Sequence, residues 1–325
     1  MRRTVTLRLS LGSAIALGLK EGSLPHPPTT AYIMLGERCT SGCRFCTQGR
    51  AADHGSDKLS RVTWPRFDEE KVLGALGAAR EKCFGRICLQ VLVDPDAIIG
   101  LPPLIGKLKD ASGLPISLSI SPVPAEFMME LREAGADRIG IALDGASEAV
   151  FERTKGGSVG NPYTYSKHKK ALEEALKVFG RGQVSTHIIV GLGETDREIF
   201  ETMLWCRARG ILLSLFAYTY VKGTRKLGEP PELGRYRALQ VLRHLIFDRN
   251  AQGDCARFDD TGKITSIDWS MVTEKGALFQ TRGCPDCNRP YYNESPKGPI
   301  YNYPYDYDEE IGARSISEAQ GYVGN

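Results

Sequence analysis

The chain has 325 residues, 42% hydrophobic and 25% charged, enough for one large α/β core or two smaller ones. Lys plus Arg (42) nearly balance Asp plus Glu (39) for a net +3, which excludes a strongly basic nucleic-acid footprint and leaves room only for a local patch. The composition also excludes disordered, collagen-like and coiled-coil chains, and its 35 Gly and 18 Pro suit the many turns of an alternating strand/helix fold.

The N-terminus, MRRTVTLRLSLGSAIALGLKEG, is broken by Arg8, Ser10, Gly12 and Ser13 and falls short of the ~20 apolar residues of a membrane span. It predicts a short amphipathic helix within an extension covering residues 1–28, and a cytoplasmic protein. A strand is expected over 30–35, running straight into a cysteine-bearing loop. The spacing of Val72, Leu73, Leu76 and Ala79 predicts a helix over 68–80. Strands follow at 86–93, 114–120 and 138–143, with a helix at 124–134 between the last two. A longer helix at 164–179 leads to strand 184–190, helix 195–208, strand 211–220 and helix 233–248.

Six β/α units in about 220 residues match the ~30 residues that each βαβ unit takes. Short apolar strands at this spacing predict a β/α barrel over 29–250, between a partial six-unit and a full TIM-like one. A doubly wound sheet competes, but cysteines stand where its Gly-rich dinucleotide loop would be. In the remaining segment, 251–325, a hairpin is expected over 256–268 around Thr261-Gly262, followed by a Pro/Tyr-rich tail.

Nine cysteines, an odd number, in a chain too large to need disulfide staples argue for metal or Fe–S ligation in a reducing compartment. Cys39, Cys43 and Cys46 form a CxxxCxxC triplet after the first strand. Three thiolates on one tight loop can hold three irons of a 4Fe–4S cube and leave the fourth open. A closed zinc site would need a fourth ligand, with His26 and His54 nearest. A second set comprises Cys284 and Cys287, as CxxC, with Cys255 29 positions before Cys284. It is a redox pair, a zinc half-site or, with three thiolates, a second 4Fe–4S site whose fourth ligand could be Arg282, Ser270 or Cys206. Cys83 and Cys206 read as ordinary buried thiols, and Cys88 as core packing before a barrel-lining group.

The triplet, with aromatic Phe45 before its last cysteine, resembles the radical S-adenosylmethionine (SAM) superfamily. The resemblance covers roughly residues 30–220. It implies that Cys39, Cys43 and Cys46 hold a cluster whose open iron chelates SAM, which is cleaved reductively to a 5′-deoxyadenosyl radical. Ile189, Gly191 and Glu194 match the superfamily's fifth-strand motif on the adenosine side, with His187 where a Gly is common. His187 could reach SAM or substrate. Asp144 stands where a polar SAM contact is often found, its plainer role being a turn residue or helix cap. The expected Gly-Gly-Glu after the second strand is replaced by Gln90-Val-Leu-Val-Asp94.

Within the superfamily, the VGLGET stretch (190–195) resembles the biotin and lipoyl synthase group. The third strand has no cysteine and the fifth carries His187, which disfavours biotin synthase. The N-terminal triplet and Arg-Ser-Ser stretch of the usual lipoyl synthases are missing. With GADRIGIALD (135–144) and GCPDCNRPYYNE (283–294), the chain looks most like the archaeal-type two-component lipoyl synthases. That resemblance implies two 4Fe–4S clusters, the auxiliary one on Cys255, Cys284 and Cys287 donating sulfur to a protein-bound octanoyl chain. It also implies as partners an octanoylated carrier (a dehydrogenase subunit or a glycine-cleavage H-type protein), a paralogous component and a ferredoxin-like electron donor. A biotin-like or other thiolation of a small molecule, and a silent electron-transfer or scaffold role, are the competing readings. Neither a membrane nor a nucleic acid is expected as a partner.

Overall fold

The computed structural model describes residues 6–53, 57–79, 84–272, 277–295 and 297–324; Cys83 and His54 fall outside them. The first elements are strand β1 (Thr6–Leu9), helix α1 (Leu11–Ala16) and strand β2 (Thr30–Leu35). After the cysteine loop come a small hairpin of β3 (Lys58–Leu59) and β4 (Val62–Thr63), strand β5 (Arg66–Asp68) and helix α2 (Glu69–Ala78). The repeating units follow: β6 (Arg86–Val91), α3 (Pro95–Ser112), β7 (Ile116–Ser119), α4 (Ala125–Glu133), β8 (Arg138–Gly140), α5 (Glu148–Thr154) and α6 (Tyr165–Phe179). Then come β9 (Val184–Val190), α7 (Asp196–Arg209), β10 (Leu212–Ala217) and α8 (Leu233–Phe247). The chain ends with the hairpin β11 (Ala256–Phe258) and β12 (Ile264–Ile267), a long irregular stretch and helix α9 (Glu309–Gly324).

The main sheet has eight strands in the order β10-β9-β8-β7-β6-β2-β1-β5. From β2 to β10 every pairing is parallel, and spatial order follows chain order. That is a partial six-unit barrel, in which each helix returns the chain to the next strand. The N-terminal extension differs from its expectation, because β1 precedes the helix and pairs antiparallel with both β2 and β5. The alternation Leu7, Leu9 against Thr6, Arg8 carries the strand signal; the two leucines are fully buried.

Helix α3 has no counterpart in the sequence reading, and Pro102 and Pro103, residues that usually break helices, lie inside it. The helix survives them through good ends: Asp94 accepts from the N–H groups of Asp96 and Ala97, and Gly113 closes the helix at φ +69°. No described helix is long and apolar enough to cross a membrane.

Strand register decides what faces the barrel axis. In β9 the buried residues Val184, Thr186, Ile188 and Val190 alternate with Ser185, His187 and Ile189. Across the neighbouring strands, Tyr32 of β2 stands opposite Cys88 of β6, and Cys88 opposite Ser117 of β7. Small and polar side chains therefore occupy positions that branched aliphatics fill in a packed barrel, and a cavity of about 300 Å³ is left inside.

Candidate active site

The cysteine loop leaves the C-terminal end of β2 through Gly36. Backbone hydrogen bonds hold it in place, Thr40 N–H to Val93 O at 2.9 Å and Arg44 N–H to Thr154 O at 3.0 Å. Within it, Cys46 N–H donates to Cys43 O and Gly49 N–H to Cys46 O. A Cβ on Gly49 would lie 2.8 and 2.9 Å from the Cys43 and Cys46 carbonyl oxygens, so only glycine fits this turn. Asn161 fastens the loop from outside: its Oδ1 accepts from Gly42 N–H at 2.7 Å, while its Nδ2 donates to Lys155 O at 2.7 Å and faces Cys43 Sγ at 3.8 Å.

Cys39, Cys43, Cys46 and Phe45 all line the cavity. Burial, only partly opposed by Lys155, pushes the Cys43 thiol up to about 12. Burial and then the Cys43 neighbour push Cys46 higher still. These thiols stay protonated until a metal displaces the proton. Among the described residues, no three Cys, His, Asp or Glu side chains converge on a single ion, as four-coordinate zinc requires. Three thiols spread along one loop, with no fourth protein ligand beside them among the described residues, suit separate irons of a 4Fe–4S cluster.

Opposite the loop, the turn after β8 carries Asp144 at φ +62°. Its carboxylate binds Lys155 Nζ at 2.7 Å and His187 Nε2 at 2.8 Å, and Lys155 also donates to Ala142 O at 2.7 Å. Burial alone would raise the Asp144 carboxyl, but Lys155 and then His187 outweigh it and hold it well below the usual carboxylate range. Asp144, Lys155, His187 and Ile189 line the cavity, with the His187 ring packed on Phe216 at 4.7 Å.

Glu194 and Gly191 behave differently and do not line it. Glu194 accepts from the Gly191 and Leu192 N–H groups at 2.8 and 2.9 Å and pairs with Arg235 at 3.2 Å. Glu194 is therefore a brace that shapes the loop after β9 (its side chain is wholly buried). Gly191, at φ +105°, lies too close to Tyr218 and Pro231 for an unstrained side chain. Asp94 is spent on capping α3 and accepting Glu37 N–H at 2.8 Å.

The second cysteine pair is reached from the other side of the barrel. The stretch 283–293 plugs the interior: Thr30 Oγ1 donates to Asp286 O at 2.5 Å, Arg86 Nε to Pro285 O at 3.2 Å, and Tyr32 Oη lies 3.5 Å from Cys287 Sγ. Cys284 and Cys287 line the same cavity as the triplet, and Cys88 of β6 joins them there. Burial and then Cys284 and Cys287 push the Cys88 thiol far up.

Cys255 is not brought to this set. It lies buried in the aliphatic core at the start of β11, its carbonyl accepting from Asp268 N–H at 2.9 Å, and does not line the cavity. Spacing along the chain had joined it to the CxxC; register on β6 supplies Cys88 instead. Nor do Cys206, Ser270 or Arg282 line the cavity. Cys206 sits in the core on α7, Ser270 is engaged by Asp268, and Arg282 faces Asp248 at 3.6 Å. Lys155, Asn161, Arg289 and Tyr292 are the site residues that sequence reasoning missed. The run Thr154-Lys-Gly-Gly-Ser-Val-Gly-Asn161, a loop signal with two polar ends, was the available clue to the first two.

A parallel six-unit barrel with a cysteine triplet at the C-terminal mouth of its first parallel strand defines a radical SAM protein. The family model of the radical SAM superfamily matches residues 33–206, and the chain belongs to that superfamily. Within it, the chain is similar to the mitochondrial lipoyl synthase of Sordaria macrospora, with 24% identity over 213 residues, 63% of this chain and 44% of that protein. It is also similar to the chloroplastic lipoyl synthase of Ostreococcus lucimarinus, with 26% identity over 187 residues, 56% of this chain and 54% of that protein. The match thus spans about half the length of these curated relatives. Among solved structures, an FeFe-hydrogenase maturase from Carboxydothermus hydrogenoformans shares the fold, with TM-score 0.55 and 15% identity over 73% of this chain and 56% of that one.

Proposed function

We propose that the chain is a cytoplasmic radical SAM sulfurtransferase that inserts sulfur into an unactivated C–H bond of a protein-bound octanoyl or mercapto-octanoyl chain, as one component of a two-component lipoyl synthase. The observation that carries this reading is a single cavity lined by two cysteine sets, the triplet and Cys284 with Cys287. The similarity to lipoyl synthases supports the same chemistry.

The triplet would hold the SAM-binding cluster, and the CxxC pair an auxiliary one. When bound, the first cluster with SAM supplies a hydrogen-abstracting radical, and the auxiliary cluster supplies sulfide. The protein's own contribution is position and exclusion of water. Asp144, Lys155 and His187 present a fixed, hydrogen-bonded array beside the triplet, suited to the polar groups of SAM. Phe45, Ile189 and Leu192 give an apolar wall whose order depends on the Glu194 brace. Tyr292 lines the cavity together with both cysteine sets and would offer an aromatic surface to an extended acyl chain. The partners this requires are an octanoylated carrier, of the dehydrogenase-subunit or glycine-cleavage H type, a paralogous component for the second sulfur, and a ferredoxin-like reductant.

The test uses anaerobically reconstituted protein with SAM, dithionite and an octanoylated carrier domain. Intact-protein mass spectrometry of the carrier should show the gain of one sulfur atom per acyl chain, together with 5′-deoxyadenosine. Formation of 5′-deoxyadenosine while the carrier stays unmodified, with the paralogous component present or absent, would reject the sulfur-insertion reading.

A further inference from the structure

We propose that the auxiliary cluster is held by Cys88, Cys284 and Cys287, with the Arg289 guanidinium as the cation facing it, and that Cys255 takes no part. The inference rests on the auxiliary-cluster reading above and names the residues of that site.

Three observations carry it. First, the period of two along β6 turns Cys88 and Gln90 to the axis while Ile87 and Leu89 are fully buried outward. Cys88 thereby stands beside Tyr32, whose hydroxyl touches Cys287 and accepts the Arg289 backbone N–H at 2.9 Å. Second, the loop leaves room. A Cβ on Gly283 would meet Ser214 Oγ at 3.3 Å, Cys287 Sγ at 3.7 Å and an Arg289 guanidinium nitrogen at 3.8 Å. Glycine there opens a cradle between one thiol and one cation.

Third, the buried guanidinium sits where a negative neighbour would stabilise it. It lies 3.9 Å from the Phe216 ring centroid and donates one bond, to Arg282 O at 2.9 Å. Its Nε is sealed from solvent with no hydrogen-bond partner among the described residues. No described salt bridge includes it; of the ionisable groups around it Cys287 acts on it most strongly, ahead of Tyr32, Tyr236 and Glu294. A buried cation needs compensation. Three thiolates on a 4Fe–4S core of charge 2+ leave a net negative site, which Arg289 would balance. Cys255, in the aliphatic core by β11, has no such neighbours.

The experiment counts iron and acid-labile sulfide in the Cys39/Cys43/Cys46→Ala variant after anaerobic reconstitution, without substrate. Failure of sulfur insertion would therefore leave the result standing. About four irons should remain in this background, and in the same background with Cys255→Ser. Adding Cys88→Ser or Cys284→Ser should remove them. Iron kept after Cys88→Ser, or lost after Cys255→Ser, overturns the assignment. A second measurement does not depend on losing the cluster. Arg289→Gln should shift the midpoint potential of the remaining cluster to more negative values, because reduction then adds charge without a nearby cation, and Arg289→Lys should largely restore it. A potential unmoved by Arg289→Gln removes the arginine from the site.

Discussion

Replacing Lys155 with Met should destabilise the protein by about 3–5 kcal/mol. The ammonium lies 2.7 Å from the Asp144 carboxylate, and each side chain is only 7% exposed, so solvent screens the pair little. At that distance two unit charges attract by about 6 kcal/mol at an effective dielectric near 20. Each ion lost several kcal/mol of hydration on burial, so the intact pair adds little net stability. Removing one partner is different, because it leaves the other charge buried and also strands Ala142 O, which Lys155 satisfies at 2.7 Å. His187, still hydrogen-bonded to Asp144, places the cost toward the lower end of the range. Anaerobic urea unfolding gives the number, and the Asp144→Asn/Lys155→Met double variant isolates the charge effect. The double variant should be less destabilised than the sum of the two singles by more than about 1 kcal/mol. A Lys155→Met cost below about 1 kcal/mol, or simple additivity, would refute the reasoning.

His168, fully buried on α6 between the Phe151 and Tyr163 rings, is pushed from 6.5 down to about 3 by burial and then by Lys155. The unfolded chain takes up this proton at higher pH than the native one. Stability should therefore drop as pH falls from about 6.5 toward about 3, by up to about 1.4 kcal/mol per unit, and His168→Gln should flatten that slope in unfolding at pH 7 and pH 5. Gly49→Ala should cost the triplet its cluster and lower reconstituted iron by about four atoms, because the new methyl meets two backbone carbonyls that cannot move without displacing Cys43 and Cys46. Unchanged iron in that variant would mean that the turn tolerates a different backbone path.

What could be read in the sequence was whatever local chemistry fixes. The 30–35 and 184–190 strands come out with the ends expected of them, because Thr/Val/Ile-rich runs bounded by turn residues have few alternatives. The triplet declares itself for the same reason, since close spacing brings its thiols together. Elements decided by long-range packing were missed. Strand β1 exists through its pairing with β2 and β5, and α3 through its caps and the sheet beneath it, against the local vote of two prolines. The site divides along the same line. Asp144 and His187 were visible as residues, but the Lys155 that binds Asp144 comes from the end of the next helix.

Cys88 and Cys255 show most plainly why the remainder was out of reach. Counted along the chain, Cys255 is 29 residues from Cys284 while Cys88 is 196 residues away, and proximity in sequence favours the one that the fold leaves outside the cavity. A barrel reverses this ordering. The six parallel strands leave an open seam between β10 and the β2 side of the sheet, and the tail is drawn into it: Gly283 abuts Ser214 of β10, Asp286 O is held by Thr30 of β2, and Thr219 donates to Asn293 O. Whatever strand residue points inward at that level becomes the neighbour of the CxxC, however remote its number. The tail thus closes the barrel wall and delivers two thiols to its axis in one movement, and inward-facing parity along β6 supplies the third.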